Sequence, residues 1–375
     1  MPVDRPAEVV HVLARDALAG TELMVAALAE RSDPAAVRAT VLFLDEPGPV
    51  AARLRAAGVA TRSLGTGPAG LLALARHVRG RPVDVLCGYG FRTGLATRLL
   101  ARWLSPGTRT VTGVRGLYVT EIDRIDSLRG RLVMAVERTT APLVDAYVAN
   151  STGALAVLAE HGIDRARLHY VPNGLDADRW PTPDRRGRGE PVTVVCVGRF
   201  VPIKRQIDVV TAAALLRTRG IQARFVFAGG GPTLEEVRAH AAALGIAEDV
   251  TFLGPCPPER VAQVLVDADV ACLASSQEGM PGVVLEAMAS ALPVVGTRVN
   301  GIADVVRDGE TGLLVPAADP ARLSVALERL LTDEALRAEL GARGRDRVVA
   351  EHSLAGTVAA STALHLALLT GEDPR

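Results

Sequence analysis

Two positively charged side chains occupy a short loop that follows a buried strand. The loop lies within residues 197–206 (VGRFVPIKRQ), between an apolar run at 192–197 and a helical pattern at 207–217. Arg199 and Lys204 are therefore expected at the carboxyl end of a strand, beside a helix N-terminus. Fixed cations and helix N-termini stabilise phosphate groups, including the charge that grows on a departing diphosphate. The loop predicts a diphosphate site; the alternative interpretation is a pair of ordinary solvated side chains.

The choice of lysine at position 204 favours the first interpretation. Lys204 is the only lysine in the chain, since forty-one of the 42 basic Lys and Arg residues are arginines. Such a bias is typical of a GC-rich bacterial genome. A surface position would tolerate arginine, whereas a compact ammonium group and a planar guanidinium fork are not interchangeable at a specific binding site. We therefore expect a specific role for this lysine.

Two glutamates follow another predicted strand. Residues 273–288 (LASSQEGMPGVVLEAM) contain Glu278 in a loop and Glu286 in the helix that follows. Carboxylates accept hydrogen bonds from neighbouring sugar hydroxyls, and the backbone amides of 279–283, apart from the proline, can bind an anion or a hydroxyl. A single helical glutamate is usually solvated. The helical neighbours of Glu286 are apolar, however, so we expect a buried carboxylate that needs a partner.

Strand-like and helix-like patterns alternate along the chain, which indicates mostly parallel sheets with helices on both faces. Ligands bind such sheets at the carboxyl ends of the strands. The predicted strands cover residues 8–13, 40–44, 83–87, 108–114, 146–150, 192–197, 224–228, 250–253, 270–274 and 293–296. The predicted helices include 20–30, 48–57, 93–104, 152–161, 207–217 and 353–369. The segment 176–191, with three prolines and no apolar periodicity, interrupts the alternation and predicts a linker.

Taken in this order, the loops resemble those of the retaining glycosyltransferases of family four, which have the GT-B fold. The matching motifs are the E-x7-E pair Glu278 and Glu286, VGR at 197–199 with Lys204, AGGGP at 228–232, FLG at 252–254 and GETGLLV at 309–315. The set is highly specific and extends through most of the second half. The resemblance implies an α/β fold of two doubly wound Rossmann-like domains that face each other across a cleft.

The resemblance also implies domain limits. Residues 1–178 would form the acceptor-side domain, 179–191 the linker, and 192–352 the domain that binds the nucleotide sugar. The C-terminal helix within 353–375 would close the second domain or pack back on the first.

Each matched residue of the second domain is implied to contact the donor. Arg199 and Lys204 would hold the diphosphate and, with Glu278, form the catalytic group. Glu286 would bind the ribose hydroxyls. The donor sugar would lie against Glu278 and the loop after it, and the base near the segment after FLG. The implied donor-binding residues in these two segments are Gly279, Met280, Pro281, Gly282, Val283, Pro255 and Cys256.

The first domain matches the family less closely. Gly20, in the segment LAGTE at 18–22, resembles the glycine that approaches the donor phosphate. The family often has a histidine in a T-x-H-G segment, where residues 111–116 (VTGVRG) place Arg115. This departure speaks against a histidine-assisted step and indicates a cation near an anionic acceptor or the donor. Arg115, Tyr89 and Asn173 are our candidates on the acceptor side.

The implied reaction is a retaining transfer from a nucleoside-diphosphate sugar to a hydroxyl of a small molecule, lipid or glycan. UDP-hexose and UDP-N-acetylhexosamine are the favoured donors, and GDP and ADP sugars are alternatives. The leaving phosphate would take the acceptor proton, so a dedicated nucleophile is not required. We expect no cofactor and no metal, and treat the D-x-D patterns at 176–178 and 267–269 as chance matches.

Composition limits the partners and the compartment. A formal charge of zero argues against a nucleic-acid partner. Between residues 79 and 138, however, eleven arginines face five acids. This excess indicates solvated helix faces or, alternatively, a surface for an anionic acceptor or membrane. Four cysteines without C-x-x-C spacing, and the lack of a signal or membrane-span pattern, predict a cytoplasmic protein, with peripheral membrane contact as an alternative. The oligomeric state is left open.

Three other functions fit parts of the sequence. A UDP-N-acetylglucosamine 2-epimerase-like isomerase would use the same fold, although the loop around Glu278 has no histidine for acid–base chemistry. A nicotinamide dehydrogenase would need a dinucleotide fingerprint, which the GYGFRTG segment at 88–94 does not match in spacing. A non-catalytic binding protein would have no reason to retain both glutamates and both cations.

Overall fold

The computed structural model describes residues 5–115, 128–183, 189 and 191–372. The chain divides into two compact units. The first comprises residues 1–173 and 354–375, and the second comprises residues 174–353. The predicted linker at 179–191 includes residues 184–188 and 190, which lie outside the described residues.

The first unit contains a seven-stranded parallel sheet. Its strands are β1 (Ala7–Leu13), β2 (Val37–Phe43), β3 (Ala60–Ser63), β4 (Val85–Tyr89), β5 (Arg109–Val114), β6 (Ala146–Ala149) and β7 (Leu168–Tyr170). Its helices are α1 (Gly20–Arg31), α2 (Pro49–Ala56), α3 (Gly67–Arg79), α4 (Phe91–Leu104), α5 (Leu128–Thr140) and α6 (Thr152–Glu160). The strand order is β3-β2-β1-β4-β5-β6-β7.

The second unit contains a six-stranded parallel sheet. Its strands are β8 (Val192–Val197), β9 (Ala223–Ala228), β10 (Val250–Phe252), β11 (Val270–Leu273), β12 (Val294–Thr297) and β13 (Gly312–Val315), in the order β10-β9-β8-β11-β12-β13. Its helices are α7 (Gln206–Thr218), α8 (Leu234–Ala243), α9 (Pro258–Asp267), α10 (Gly282–Ala289), α11 (Ile302–Val305), α12 (Pro320–Thr332) and α13 (Glu334–Glu351). The last helix, α14 (Leu354–Thr370), belongs to the first unit.

Both sheets have the doubly wound order, so the predicted α/β class is confirmed. In each sheet the chain first builds strands outward in one direction and then returns to the other side of its first strand. The reversal lies between β1 and β4 in one unit and between β8 and β11 in the other. Loops that leave the carboxyl ends of two such strands diverge and open a crevice for ligands.

Apolar residues line both faces of the sheets, as parallel strands covered by helices require. In the second unit one core cluster includes Val194, Phe227 and Leu327 on one face, and another includes Val195, Leu285 and Met288 on the other. Alternate residues of β8 therefore point into different cores. This double burial explains the uninterrupted apolar run that predicted the strand.

Both units contain aspartates that immediately precede a strand. Asp84, Asp145 and Asp269 immediately precede β4, β6 and β11. Their carboxylates accept backbone N–H bonds of 2.8 Å from Glu8, Thr110 and Thr193 respectively, which lie near the starts of neighbouring strands. These carboxylates satisfy backbone donors at the amino edges of the sheets. Asp269 therefore has a structural contact that accounts for its place in the D-x-D pattern at 267–269.

A buried ion pair joins α4, α5 and β6. Arg98 donates to Glu137 through Nη1 and Nη2, at 2.5 and 2.8 Å, and the Tyr147 hydroxyl donates to the same carboxylate at 2.6 Å. The Arg98 and Glu137 side chains are fully buried. Arg98 belongs to the basic stretch at 79–138, and Arg115 of the same stretch is buried too. For these two residues the expectation of a solvated or membrane-facing surface is wrong.

Replacing Glu137 with leucine should lower the free energy of unfolding by about 3–5 kcal/mol, because the Arg98 charge would stay buried without its partner. The double variant Arg98→Met/Glu137→Leu should recover most of this loss, because an apolar pair leaves no unpaired charge. Urea denaturation of the single and double variants measures both effects. Arg38→Gln, which removes an exposed ion pair with Glu8, is the matched control and should cost less than about 1 kcal/mol. A Glu137→Leu variant as stable as the native chain would contradict this account.

Candidate active site

The predicted loops of the second unit leave two neighbouring strands. β8 and β11 pair in parallel, with Val194 beside Val270 and Val195 beside Ala271. The loop with Arg199 and Lys204 follows β8, and the loop with Glu278 follows β11. Both loops therefore begin at the reversal point of the sheet, where the doubly wound topology opens a crevice.

Lys204 and Glu278 form an ion pair across the two loops. Lys204 ends a short 3-10 turn at Pro202–Lys204, and its Nζ donates to Glu278 Oε1. The Ser275 hydroxyl donates to the same oxygen at 2.6 Å. Both charged side chains are only partly accessible to solvent. The pair holds a cation beside a carboxylate, an arrangement that can contact a phosphate and a hydroxyl of one ligand.

Backbone contacts fix the same two loops. Ser276 donates its N–H to the Ile203 carbonyl oxygen at 2.7 Å, and its hydroxyl contacts that oxygen at 3.2 Å. The Thr297 hydroxyl, at the end of β12, donates to the Ser275 carbonyl. Lys204 and Glu278 are therefore positioned by three adjacent strands.

Arg199 is exposed, and its side chain has no hydrogen bond or ion pair to the residues that the structure describes. Its backbone, by contrast, is held in place. Gln206 at the start of α7 donates to the Arg199 carbonyl at 2.9 Å. The next residue, Phe200, donates its N–H to Gly230 at 2.9 Å. A fixed backbone with an unengaged guanidinium suits a residue that contacts an anionic ligand.

The glycines of the AGGGP motif permit this loop to lie against β9. A β-carbon at Gly229 would collide with the Gly198 carbonyl oxygen, and one at Gly231 would collide with the Phe200 carbonyl. Both glycines also have positive φ, 145° and 150°, which disfavours other residues. These glycines allow the backbone of the AGGGP segment to approach the backbone around Arg199 closely.

Glu286 lies on α10 and is partly buried. Burial raises the pKa of its carboxyl group to about 7. The described residues place no hydrogen-bond donor on this carboxylate. It differs in this respect from Glu278, which already has two partners. A ligand that donates hydroxyl groups would satisfy Glu286.

The remaining predicted donor residues lie around the same edge of the sheet. Gly279, Met280 and Pro281 are buried in the loop after Glu278, and Gly282 and Val283 begin α10. Pro255 and Cys256 follow β10, two strands from β8, and Pro255 packs against Gly230. The Cys256 thiol lies 3.5 Å from the Gly254 carbonyl. All seven residues therefore follow carboxyl ends of strands of the second sheet.

Two supporting residues were missed in the sequence analysis. Gly301 has φ 79°, and a β-carbon there would collide with the Gly279 carbonyl oxygen, so only glycine lets the loop after Glu278 take its path. The Asn300–Gly301 dipeptide, typical of turns, was the available signal. Ser275 donates a hydrogen bond to Glu278. It is followed by a second serine, and nothing in the sequence indicates which of the two contacts the glutamate.

The acceptor-side candidates come together in the first unit. Arg115 Nη1 donates to Asn173 Oδ1 at 2.5 Å, and the guanidinium carbon lies 5.9 Å from the centre of the Tyr89 ring. His11, which the sequence analysis did not identify, lies with Nδ1 2.8 Å from the Tyr89 hydroxyl. Gly20, the first residue of α1, lies in this unit as well, with open space where a β-carbon would stand.

Groups of three or more histidine, cysteine, aspartate or glutamate side chains arranged for a metal are absent from the described ranges. The four cysteines are unpaired thiols, three of them buried. Within the part of the chain that the structure describes, no helix is both long and apolar enough to cross a bilayer.

Two family models match the chain. "Glycosyl transferases group 1" matches residues 178–347, and "Glycosyl transferase 4-like domain" matches residues 19–174. The first model covers all six strands of the second sheet, the other covers β2 to β7 of the first sheet, and together they account for most of the chain.

Curated relatives match part of their own length. The chain is 40% identical over 261 residues to D-inositol 3-phosphate glycosyltransferase of Nocardia farcinica, a match that covers 64% of this chain and 57% of that protein. It is 36% identical over 201 residues to GDP-mannose-dependent alpha-(1-6)-phosphatidylinositol monomannoside mannosyltransferase of Mycobacterium tuberculosis, covering 50% of this chain and 52% of that protein. The matches thus span less than two thirds of these relatives.

Solved structures share the fold along nearly the whole chain. HepE of Anabaena in complex with UDP superposes with a TM-score of 0.82 at 16% identity, covering 96% of this chain and 99% of that chain. Sucrose-phosphate synthase of Thermosynechococcus elongatus superposes with a TM-score of 0.81 at 21% identity, covering 98% and 100%. At these identities the likeness establishes the fold only.

One family model matches in each of the two doubly wound units, and the solved structures share the two-sheet fold. The chain therefore belongs to the family four glycosyltransferases of GT-B fold.

Proposed function

We propose that this chain transfers a hexosyl or N-acetylhexosaminyl group from a nucleoside-diphosphate sugar to a hydroxyl of an acceptor, with retention of anomeric configuration. The observation that carries the proposal is the Lys204–Glu278 pair at the carboxyl ends of β8 and β11. An ammonium group can bind a phosphate, and a carboxylate can accept hydrogen bonds from hydroxyls. A nucleoside-diphosphate sugar carries both of the groups that such a pair recognises.

The reaction is proposed to depend on stabilisation of the leaving group. The bond between the sugar and the diphosphate breaks, and its electron pair goes to the diphosphate oxygen. Lys204 and Arg199 stabilise that negative charge. The acceptor hydroxyl forms the new bond on the same face and gives its proton to the diphosphate. Glu278 orients the sugar through its hydroxyls, and Glu286 accepts hydrogen bonds from the ribose. Neither a metal nor a dedicated nucleophile takes part.

The nucleotide is proposed to be UDP, and GDP is its main rival. The HepE complexes contain UDP or UDP-glucose, whereas the M. tuberculosis relative is named for GDP-mannose. The base would lie near Pro255 and Cys256, beyond the AGGGP loop. The acceptor is a hydroxyl-bearing small molecule, lipid or glycan, and the relatives named for inositol phosphate and phosphatidylinositol mannoside favour a polyol. A lipid acceptor would bring the protein to the membrane surface.

A ligand screen tests the donor class. Because a ligand that binds only the folded protein raises its melting temperature, UDP, GDP, ADP and TDP should be compared at equal concentrations by thermal shift, followed by their sugar conjugates. We expect UDP to give the largest shift. A largest shift with GDP would overturn the UDP assignment, and no shift with any of the four would contradict the proposed function.

Lys204→Ala should slow donor turnover at least tenfold, since the loss of one cation at the leaving group corresponds to about 1.4 kcal/mol or more. Lys204→Arg should also be impaired, because the guanidinium is larger and directs its donors differently. The rate of nucleoside-diphosphate release from the donor found in the screen measures both. Arg217→Ala, which removes an exposed cation paired with Asp249 near the end of α7, is the control and should retain full activity. Normal turnover in Lys204→Ala would refute the diphosphate assignment.

Glu286→Gln should have opposite effects on stability and binding. Burial raises the carboxyl pKa of Glu286 to about 7 in the folded chain, above the value of about 4.3 in an unfolded chain. The folded state therefore favours the neutral form, and this stabilisation is lost as pH rises from about 4.5 through 7. At pH 8 the variant should melt at a higher temperature than the native chain, and at pH 4.5 the difference should vanish.

Nucleotide affinity should respond in the other direction, because the ribose hydroxyls donate to the ionised carboxylate. At pH 8, Glu286→Gln should bind the nucleoside diphosphate about tenfold more weakly, as expected for loss of a charged hydrogen-bond acceptor. It should also discriminate less against the 2′-deoxy nucleotide. Calorimetry at pH 6 and pH 8 measures these affinities. Equal affinities of the variant and the native chain at pH 8 would place the ribose elsewhere.

A further inference from the structure

Arg115 is a buried cation at the carboxyl edge of the first sheet. It directly follows β5, Tyr89 ends the neighbouring β4, and Asn173 lies just after β7. Only 6% of the Arg115 surface is exposed. Asn150 directly follows β6 and continues the register in which Val114 lies beside Ala149. Polar residues therefore end four consecutive strands at the edge where doubly wound sheets bind ligands.

Neighbouring residues fix the position of the Arg115 side chain. A β-carbon at Gly113 would collide with the Tyr89 ring, so this glycine lets the ring lie over β5. The ring lies beneath the guanidinium, and its hydroxyl contacts His11 on β1. Asn173 fixes Nη1. Arg115 Nε is buried and has no hydrogen-bond partner within the ranges that the structure describes.

The titratable groups that the structure describes around Arg115 carry no compensating negative charge. Burial lowers the pKa of His11 to about 3 and that of His365, on α14, to about 4, so both rings are neutral near pH 7. Burial raises the pKa of the Tyr89 hydroxyl and the Cys87 thiol, which are neutral as well. Asn173 contributes an uncharged amide. In the described part of the cluster, the guanidinium is the single charged group.

A second buried arginine, Arg98, differs from Arg115 in having a carboxylate as its counter-ion. Arg98 is fully buried and has a complete bidentate bond to Glu137. Removing a charge from water without a counter-ion is costly, and the partner of Arg115 among the described residues is an amide rather than a carboxylate. A second buried polar atom, Asn150 Oδ1, lies at the end of the adjacent strand. It receives no hydrogen bond from the described residues, and Asn150 is 4% exposed.

We propose that this edge of the first sheet is an oxyanion subsite that recognises a phosphate or carboxylate group of the acceptor through Arg115. The ligand supplies a negative charge that none of the described groups around Arg115 provides, and an acceptor hydroxyl donates to Asn150. The proposal deepens the proposed function, on which it rests, by assigning the acceptor to the class of anionic polyols. A guanidinium fork matches the two oxygens of either anion.

The subsite is tested by titrating the full chain with inorganic phosphate and, separately, acetate, followed by thermal shift. Saturating nucleoside diphosphate from the ligand screen is present throughout, because it occupies the Arg199 and Lys204 loop. We expect phosphate to stabilise the native chain and Arg115→Gln to bind it at least tenfold more weakly. Arg115→Lys should fall between the two. Arg109→Gln, at the opposite end of the same strand, should behave like the native chain.

A structural role for Arg115 makes different predictions. If Arg115 served only to hold Asn173, Arg115→Gln would melt lower in phosphate-free buffer and respond normally to phosphate. We expect a melting temperature equal to or above that of the native chain, since the variant no longer buries a charge for which the described residues supply no counter-ion. An unchanged phosphate response in Arg115→Gln would overturn the proposal, and Arg115→Lys decides the question in the same way should the glutamine variant not fold. A stronger response to acetate than to phosphate would assign the subsite to carboxylates.

The two proposals can fail separately. If no nucleoside diphosphate stabilises the chain, the proposed function is wrong. The phosphate titration is then repeated in an Arg199→Ala/Lys204→Ala background, where neither cation of the second unit's loop competes for the anion. Phosphate binding that depends on Arg115 would still establish the subsite, and binding independent of Arg115 would overturn it.

Discussion

The Lys204–Glu278 ion pair connects the two loops on which the candidate active site depends. β8 and β11 are neighbours because the chain reverses direction between them, so their loops leave the sheet at one place. The pair and the Ser276–Ile203 backbone bond then hold the loops together. Glycines behind the loops permit this geometry: Gly229 and Gly231 beneath the first, and Gly301 beneath the second.

The charged side chains in the interior and at the candidate sites have different kinds of partner. In the second unit, Lys204 and Glu278 neutralise each other, and a ligand has to compete for or share these contacts. In the first unit, Arg98 is fully neutralised by Glu137, whereas the described partners of Arg115 are an amide and an aromatic ring. The contrast between these arginines distinguishes a charge that stabilises the fold from one that is suited to an external anion.

Much of the site could be predicted from the sequence because its signals are local. Strands covered on both faces gave continuous apolar runs, and the single lysine and the E-x7-E spacing marked the two loops. The strands missing from the prediction were β3, β7 and β13, all at sheet edges and four residues long or fewer. Edge strands are paired on one side only and need no long apolar run. Contacts between distant segments could not be predicted from the sequence either. His11 and His365 come from opposite ends of the chain, and nothing in either segment indicates that their ring centroids lie 6.0 Å apart.

The central claim is that Lys204 holds the diphosphate while Glu278 holds the sugar of the same donor. Calorimetric affinities for the nucleoside diphosphate and for its sugar conjugate, measured on Lys204→Ala, on Glu278→Gln and on the double variant, test it most directly. The account predicts that Lys204→Ala weakens both ligands, whereas Glu278→Gln weakens the sugar conjugate and leaves the nucleoside diphosphate nearly unchanged. It also predicts non-additive losses in the double variant, as expected for residues in contact. Equal losses for both ligands in Glu278→Gln, or none in Lys204→Ala, would contradict it.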